Sequence, residues 1–570
     1  MNRRGAVLGG AAVAAATAAL FVISRGKWSD AIVDSGIEWA YADALARGAV
    51  LYRDVVYWFG PFTPHFQAAF LRLFGSSFTA LAIAGAVGAA GALAALWTSL
   101  RRVSSPRDAF LVTALAIPAL VFMPNSGGAI LGMGYRIWHP AAFTLAALAA
   151  ASFPAARRRW LPPVLAGAAA GLASLSRAEW GLMAVAGAAT AFLLGRRRRA
   201  SSALAAALVA ALVFAAGIGV AVSRAGRDAV LGDGHLLLHS VTPETRRFLV
   251  AFAGVESWPQ GLAELVYSGA LWAGACLVLT WALAWRRPGG GASAGALIFV
   301  LAALGVSALL GGAAGAVAFS AAPLVCLAAL AVGIARRGRP SGAALAAYGL
   351  VGVLAAHRRP FHIVDGAYVA PPLLFALVCS AGLLRLAAAR ARFGADRRRF
   401  ARGYSAALAA LVAAAFLGRA VQYLGDRRVP IAGTGGMLAA SPQTARAIAD
   451  TAAALRQEAA PGDGLVVLPE GQLFNALTGL SDPLRHELLI PGYLTDENEP
   501  EVLAELERRA PRFVLLWPRA TAEYGRAEFG ADYGKKILAW VERHYDGPTR
   551  PAGRVGARLY VRRGAPGGGA

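Results

Sequence analysis

The sequence predicts an α-helical polytopic membrane protein of about 13 transmembrane helices followed by a C-terminal extracytoplasmic α/β domain. Three observations predict it. The 570 residues are 57% hydrophobic and only 15% charged, with a mean hydropathy of +0.53. Arginine clusters recur at Arg3-Arg4, Arg101-Arg102, Arg157 to Arg159, Arg196 to Arg199, Arg286-Arg287, Arg336-Arg337 and Arg397 to Arg399, with room for two membrane crossings between successive clusters. Of the 14 acidic residues before position 425, all but Asp108 and Asp396 lie in or next to the intervening loops. Loops rich in Lys and Arg stay cytoplasmic, so basic and acidic residues mark opposite faces of one bilayer.

Spans are expected at about 5–23, 78–99, 109–124, 140–156, 161–175, 180–195, 201–223, 264–285, 293–311, 316–335, 341–356, 367–389 and 403–424. This number puts the N-terminus inside and the C-terminus outside. The first stretch also has the look of a signal peptide, but its removal would leave every later loop on the same side; an uncleaved helix is expected. The many Gly and Ala residues let such helices approach closely. A net charge of +24 would point to nucleic acid in a soluble protein. Here the arginines are spread between apolar spans and set topology beside anionic lipid. Cys276, Cys326 and Cys379 sit in apolar stretches with no metal or disulfide spacing.

Outward segments at 24–77, 125–139, 224–263 and 357–366 are too long or polar for simple turns, and Ser174 to Trp180 is a short turn expected to dip below the membrane surface. Irregular backbone at that depth must line a cavity or be buried in protein. After position 424 the composition changes: residues 425–570 hold 18 of the 32 acidic residues and no Cys. Helices at Thr444 to Glu458, Glu499 to Arg509 and Lys535 to His544 alternate with β-like runs at Leu465 to Leu468, Phe513 to Trp517 and Ala557 to Val561, which predicts a partly parallel sheet.

The chemistry is expected in the first outward segment. The spacing of Asp34, Glu38, Ala42 and Leu45 suits a helix lying along the membrane surface, with the acids one turn apart on one side. Pro61 and Pro64 then turn the chain back toward the bilayer. Asp34 can supply a base. Arg53, Arg136, Arg177, Arg358 and Arg359, all outward and against the topological bias, can supply cations, and Arg suits phosphate oxygens through paired donors. Arg177 with Glu179 flanks the shallow turn, where charges are functional or mutually paired. Asp54 either orients a substrate or an arginine, or pairs with Arg53 and caps a turn. His65, His139 and His362 complete the candidates, with His139 alternatively anchoring the interface.

These residues resemble a family. The acid soon after the first span, the run Gly48-x-x-x-Tyr52-Arg53-Asp54 and the return Tyr57-Trp58-Phe59-Gly60-Pro61 resemble polytopic GT-C glycosyltransferases, particularly the protein mannosyltransferase and aminoarabinosyltransferase-like branch. Gly134-Tyr-Arg136-Ile-Trp-His139-Pro140, Leu175-Ser-Arg177-Ala-Glu179, Arg359-Pro-Phe-His362 and the tail motifs at 469–479 and 529–533 extend the resemblance over most of the chain. It implies a polyprenyl-phosphate sugar donor, an extracytoplasmic glycan, lipid or protein acceptor, and an essential first-loop acid. Asp34 and Asp54 are then the catalytic candidates; Glu38, Arg53, His65, Arg136, His139, Arg177, Glu179, Arg358, Arg359 and His362 are the substrate-binding ones. Where aminoarabinosyltransferases have Lys-Pro-Pro-Leu at the return, this chain has Gly60-Pro61-Phe62-Thr63-Pro64, so Arg53 or another arginine must replace that lysine. Asp34 and Glu38 are four apart rather than adjacent, and neither a metal nor another cofactor is expected. The competing classes are a transporter or lipid flippase, which would show an internal repeat, and a polysaccharide ligase or polymerase. The expected location is a bacterial inner membrane.

Overall fold

The computed structural model describes residues 3–124, 128–131, 135–153, 159–195, 200–233, 259–260, 262–263, 265–267, 270, 313–356, 366–390, 396–549 and 556–564. Helix α1 (Arg3–Ser24) is followed by a π-helical turn at Ala31–Ser35 and by α2 (Gly36–Ala46) and α3 (Phe62–Phe74). Then come the apolar helices α4 (Phe78–Val103), α5 (Pro106–Ala116), α6 (Tyr135–Ala151), α7 (Leu161–Ser176), α8 (Ala178–Leu194) and α9 (Ala200–Ala225). The last apolar helices described are α10 (Ala313–Ala335), α11 (Pro340–Ala355), α12 (Gly366–Arg390) and α13 (Asp396–Gly425). The crossings expected at 264–285 and 293–311 lie outside the described residues, apart from isolated helical positions near 265–270.

Among the described residues, four stretches are long and apolar enough to cross a membrane outright: Val7–Ser24, Phe78–Val103, Ala200–Ala225 and Leu408–Gly425. The lipid-facing side of α9 is plain from exposure, since Leu204, Leu208 and Leu212, each one turn from the next, are 61%, 55% and 69% exposed. Such a stripe is tolerated where the solvent is hydrocarbon. The opposite face of α9 presses on α7, where a Cβ on Gly167 would stand 2.4 Å from the Ala206 carbonyl oxygen. Small residues thus bring these two backbones together.

Helix α5 shows how a broken segment is repaired. It passes into a π-helical turn at Ile117–Val121 that contains Pro118, and the helix stops there. The final carbonyls of a helix lack intrahelical partners. Arg419 of α13, only 4% exposed, donates from Nε to the Pro118 oxygen at 2.8 Å and from Nη2 to the Ala119 oxygen at 3.4 Å. The Tyr423 hydroxyl donates to the Phe122 oxygen at 3.0 Å. An arginine inside the last apolar helix is therefore a structural cap for α5.

The exits of the first and last of these helices are tied together. Lys27 donates from Nζ to the carbonyls of Tyr423 and Asp426 at 2.9 and 2.7 Å. Arg428 donates back to the Lys27 carbonyl at 2.7 Å while holding Asp426. Arg25 reaches the Gly435 carbonyl at 2.7 Å.

Beyond Gly425 a short antiparallel pair, β1 (Val429–Pro430) with β2 (Ala439–Ala440), precedes α14 (Pro442–Glu458), β3 (Leu465–Leu468) and α15 (Leu473–Thr478). Then follow α16 (Glu499–Arg509), β4 (Phe513–Leu516), α17 (Lys535–His544), β5 (Tyr545–Thr549) and β6 (Arg558–Arg562). The four-stranded sheet runs β3-β4-β6-β5, with β3 and β4 parallel and the other pairs antiparallel. Strands β3 and β4 are buried at every position, as expected of runs covered on both faces. Val466, Leu468, Val514 and Leu516 pack with Val502 and Leu506 of α16 and Ile537, Trp540 and Val541 of α17. Leu465, Val467, Phe513 and Leu515 turn the other way, toward Ile448 and Leu455 of α14 and Leu473 and Phe474 of α15. That second layer is continuous with the core of the apolar helices.

Candidate active site

The surface helix expected around Asp34 forms, but its acids do not face solvent. Asp30 caps the π-helical turn, its Oδ1 accepting from the amides of Ile32 and Val33 at 2.8 Å each. Asp34 in that turn is 2% exposed and Glu38 in α2 is 1% exposed. The reason is the tail, which covers them. A Cβ on Gly36 would lie 2.6 Å from the Leu473 amide nitrogen and 3.3 Å from the Gln472 carbonyl carbon, so the loop after β3 and the start of α15 rest directly on the start of α2.

Glu38 is engaged with the neighbouring helix: Gln67 of α3 donates to its Oε2 at 3.1 Å. Asp43 accepts from Ser76 at 2.5 Å and is paired with Arg47. These bonds fasten α2 to α3 and to the segment that enters α4.

Asp54 sits in a tight loop at the end of this segment. It holds Arg53 through two 2.8 Å hydrogen bonds and accepts from the Val50 amide at 2.8 Å. The Arg53 guanidinium beside it holds its carboxyl below the usual range. This is the capping and ion-pair arrangement that the sequence allowed as the alternative to a direct substrate role. The C-terminal region reaches this loop as well. The Val56 amide donates to the Arg485 carbonyl at 2.8 Å, the Arg485 guanidinium donates to the Tyr52 carbonyl at 3.2 Å, and Trp58 stacks on Tyr493 with ring centroids 4.1 Å apart.

The return from the loop meets the shallow turn between α7 and α8. The Gly60 amide donates to the Ser176 carbonyl at 3.2 Å, and a Cβ on Gly60 would stand 2.1 Å from the Leu175 carbonyl oxygen, so only glycine fits this approach. Arg177 is the single residue between the two helices. Its guanidinium pairs with Glu179 at 2.7 Å and lies over the Phe59 ring at 4.8 Å. The turn and the first outward segment thus form one surface.

The histidines are placed differently. His139 is buried where α3 meets α6, with Nδ1 3.1 Å from the Thr63 hydroxyl and the rings of Phe62 and Phe66 edge-on to it. Its surroundings are those of a packed side chain rather than of a solvent-facing anchor. His65 bonds through Nδ1 to the Pro61 carbonyl at 2.8 Å, one turn back in α3. The side chain of Arg136 and the residues Arg358, Arg359 and His362 lie outside the described residues.

One acid at this site was missed by reading the sequence. Glu470, 1% exposed, follows β3 through Pro469 and pairs with Arg519 from the loop after β4. Burial, with a smaller contribution from the charges of Asp34 and Asp30, pushes its carboxyl up to about 7 against the opposing charge of Arg519. The run Pro469-Glu470-Gly471-Gln472 was legible as a motif of the tail, yet nothing local says that it lands on Asp34. Among the described residues, no group of three or more His, Cys, Asp and Glu side chains is arranged as a metal site.

The arrangement can hold a proton acceptor and guanidinium groups at the junction of the apolar helices and the C-terminal layer. The sequence profile of the family described as dolichyl-phosphate-mannose-protein mannosyltransferase matches residues 60–220. No curated protein matches the chain as a whole sequence. The fold is similar to that of ArnT from Cupriavidus metallidurans in the apo state, at 14% identity over 98% of each chain with a TM-score of 0.54. Lower TM-scores are found with the same protein bound to undecaprenyl phosphate (0.49, 15% identity, 100% of each chain). The same holds for the oligosaccharyltransferase AglB from Archaeoglobus fulgidus in complex with an inhibitory peptide and a dolichol-phosphate (0.47, 15% identity, 88% of this chain and 69% of that one). The profile match thus lies on the early helices, and the likeness to apo ArnT is one of fold over nearly the whole chain.

Proposed function

We propose that this protein is a GT-C glycosyltransferase that moves a single sugar from a polyprenyl-phosphate sugar to a cell-envelope glycan, lipid or protein acceptor on the extracytoplasmic side of a bacterial inner membrane. The observation that carries the reading is Asp34, an acid 2% exposed at the place where the first outward segment meets the tail. Transfer needs a base for the acceptor hydroxyl and cations for the departing phosphate. In this reading Asp34 takes the hydroxyl proton, the acceptor oxygen bonds to the anomeric carbon, and the bond from that carbon to the phosphate oxygen breaks. The electron pair leaves on the polyprenyl phosphate, which Arg177 and the other outward arginines Arg53, Arg136, Arg358 and Arg359 are suited to receive. No cofactor is required by this chemistry.

Asp34→Asn preserves size and hydrogen bonding but removes proton affinity. Purified variant supplied with radiolabelled polyprenyl-phosphate sugar is expected to turn over about 100-fold or more slowly, with donor binding retained. A near wild-type rate would refute the assignment and leave Asp54 or Glu38 as the next candidates. Mass spectrometry of cell-envelope glycans from cells with and without the gene identifies sugar and acceptor. Transfer of a whole oligosaccharide in that comparison would favour the ligase class instead.

A further inference from the structure

We infer that the tail carries an acceptor subsite for a sugar ring: a cavity of about 210 Å³ at the carboxyl-terminal ends of β3 and β4, floored by aromatic rings and walled by Arg519, Glu528 and Arg558. The inference rests on the proposed transfer and gives its acceptor a class, one that presents a glycan part to the tail.

The sheet builds the place. In open α/β sheets, ligands lie in the crevice outside the carboxyl ends of the strands. Strands β3 and β4 are parallel and end in register at Leu468 and Leu516, so the loops that follow them leave side by side and line the cavity with Pro469 and Trp517-Pro518-Arg519. Strand β6 runs the other way and sets Arg558 opposite Leu516. Trp517 and Phe529 make the floor and are 4% and 3% exposed. Each ring is held by another: Phe474 of α15 tilts onto Trp517 with centroids 4.8 Å apart, and Tyr533 stands edge-on to Phe529 at 5.4 Å. Asp532 closes the loop that brings Glu528 and Phe529, accepting from the amides of Ala527 and Glu528 at 2.7 and 3.2 Å.

The walls select the ligand. Arg558 donates to Glu528 at 3.2 Å and Arg519 pairs with Glu470, so each guanidinium brings a carboxyl group with it. A phosphate would meet acids as well as cations there. A sugar hydroxyl both donates and accepts, so neighbouring hydroxyls can bridge a guanidinium and a carboxyl group while the C–H face of the ring lies on the aromatic floor. The volume is below the roughly 300–1,000 Å³ of sites for drug-sized ligands and suits one ring. A second cavity, of about 350 Å³, lies at the opposite end of the sheet beside Asp463, and no aromatic side chain among the described residues lines it. Position joins the first cavity to the chemistry. Arg519 lines it, and the Glu470 that Arg519 holds feels the charge of Asp34. Phe474, against Trp517, belongs to α15, whose first residue Leu473 rests on Gly36. An acceptor seated by one ring in the tail is thereby held beside the segment that carries Asp34.

Titration of the detergent-solubilised full-length protein with a panel of methyl glycopyranosides, and separately with inorganic phosphate, tests this by saturation-transfer NMR. At least one glycoside should bind with a dissociation constant on the order of 1 mM. Glu528→Gln and Arg558→Gln, on side chains 65% and 35% exposed, should each weaken it about 10-fold, the scale of one hydrogen bond to a charged group, and retain affinity for a polyprenyl-phosphate sugar. With the acceptor identified by envelope mass spectrometry, the same variants should raise its KM about 10-fold and leave kcat near the wild-type value. No glycoside binding, phosphate binding in its place, equal glycoside affinity in wild type and both variants, or an unchanged acceptor KM overturns the inference. Should one variant lose donor binding by misfolding, the other decides, and the wild-type titration needs neither. Asp34→Asn separates this subsite from the catalytic reading, since it should lose turnover and keep glycoside affinity. A near wild-type rate in Asp34→Asn, with the glycoside results as expected, removes the base alone; lost turnover there, with no glycoside bound, removes the subsite alone.

Discussion

Arg177 carries the largest expectation at the scale of one residue. A guanidinium whose side chain is only 10% exposed, set between two apolar helices, is costly unless partnered. Glu179 and the face of Phe59 partner it here. Phosphate oxygens offer the same fork of donors a stronger, doubly accepting partner. Arg177→Ala is therefore expected to weaken donor binding about 10- to 100-fold, the range of a lost charge-assisted hydrogen bond, while Arg177→Lys recovers part of it because a point charge cannot form the fork. Titration of the detergent-solubilised protein with a polyprenyl-phosphate sugar reads both, and unchanged affinity in the Ala variant would count against a phosphate role. Asp34, Glu38 and Arg177 were legible in the sequence because outward acids and against-bias arginines stand out from topology. The burial of Asp34 and the place of Glu470 beside it were not, since both depend on a contact between opposite ends of the sequence.

Among the elements, the contact between the start of α2 and the loop after β3 fastens the tail to the first outward segment. Gly36 has ordinary helical dihedrals, so alanine there has no conformational penalty and even gains about 1 kcal/mol in helix propensity. Its methyl, however, would enter the Leu473 amide, a backbone atom that cannot swing away. Gly36→Ala should accordingly lower turnover and open residues 469–478 to limited proteolysis. Gly10→Ala in α1, where a Cβ meets nothing within 4 Å, should do neither; equal protease resistance in the two variants would mean that the contact is not a clamp. Much of the element pattern was readable in advance. The tail strand Leu465–Leu468 and the helices Glu499–Arg509 and Lys535–His544 begin and end where periodicity placed them. The six-residue helix Leu473–Thr478 and the strand Tyr545–Thr549, which contains Gly547-Pro548, escaped. The first is too short to show a period, and the second carries residues that ordinarily mark turns. Arg419 hid for another reason: its cap on α5 requires knowing that α13 lies beside that helix.

For the whole molecule the open quantity is sidedness. Arginine and acid segregation predicts residues 103, 198, 338 and 395 on the cytoplasmic side and 40, 240 and 480 outside. Reporter fusions at those positions, with a phosphatase active only outside and a fluorescent protein active only inside, are expected to sort accordingly. An outward reporter at 198 would remove the architecture.

The latch between Lys27, Asp426 and Arg428, together with the tail loop resting on α2, bears on how the protein is made. The early helices and the Asp34 segment emerge first during synthesis, but the residues that cover Asp34 are made only after α13. Until then Asp34 lacks that cover. Under the proposed function, the order of translation keeps a nascent chain idle until its tail has folded back onto α2.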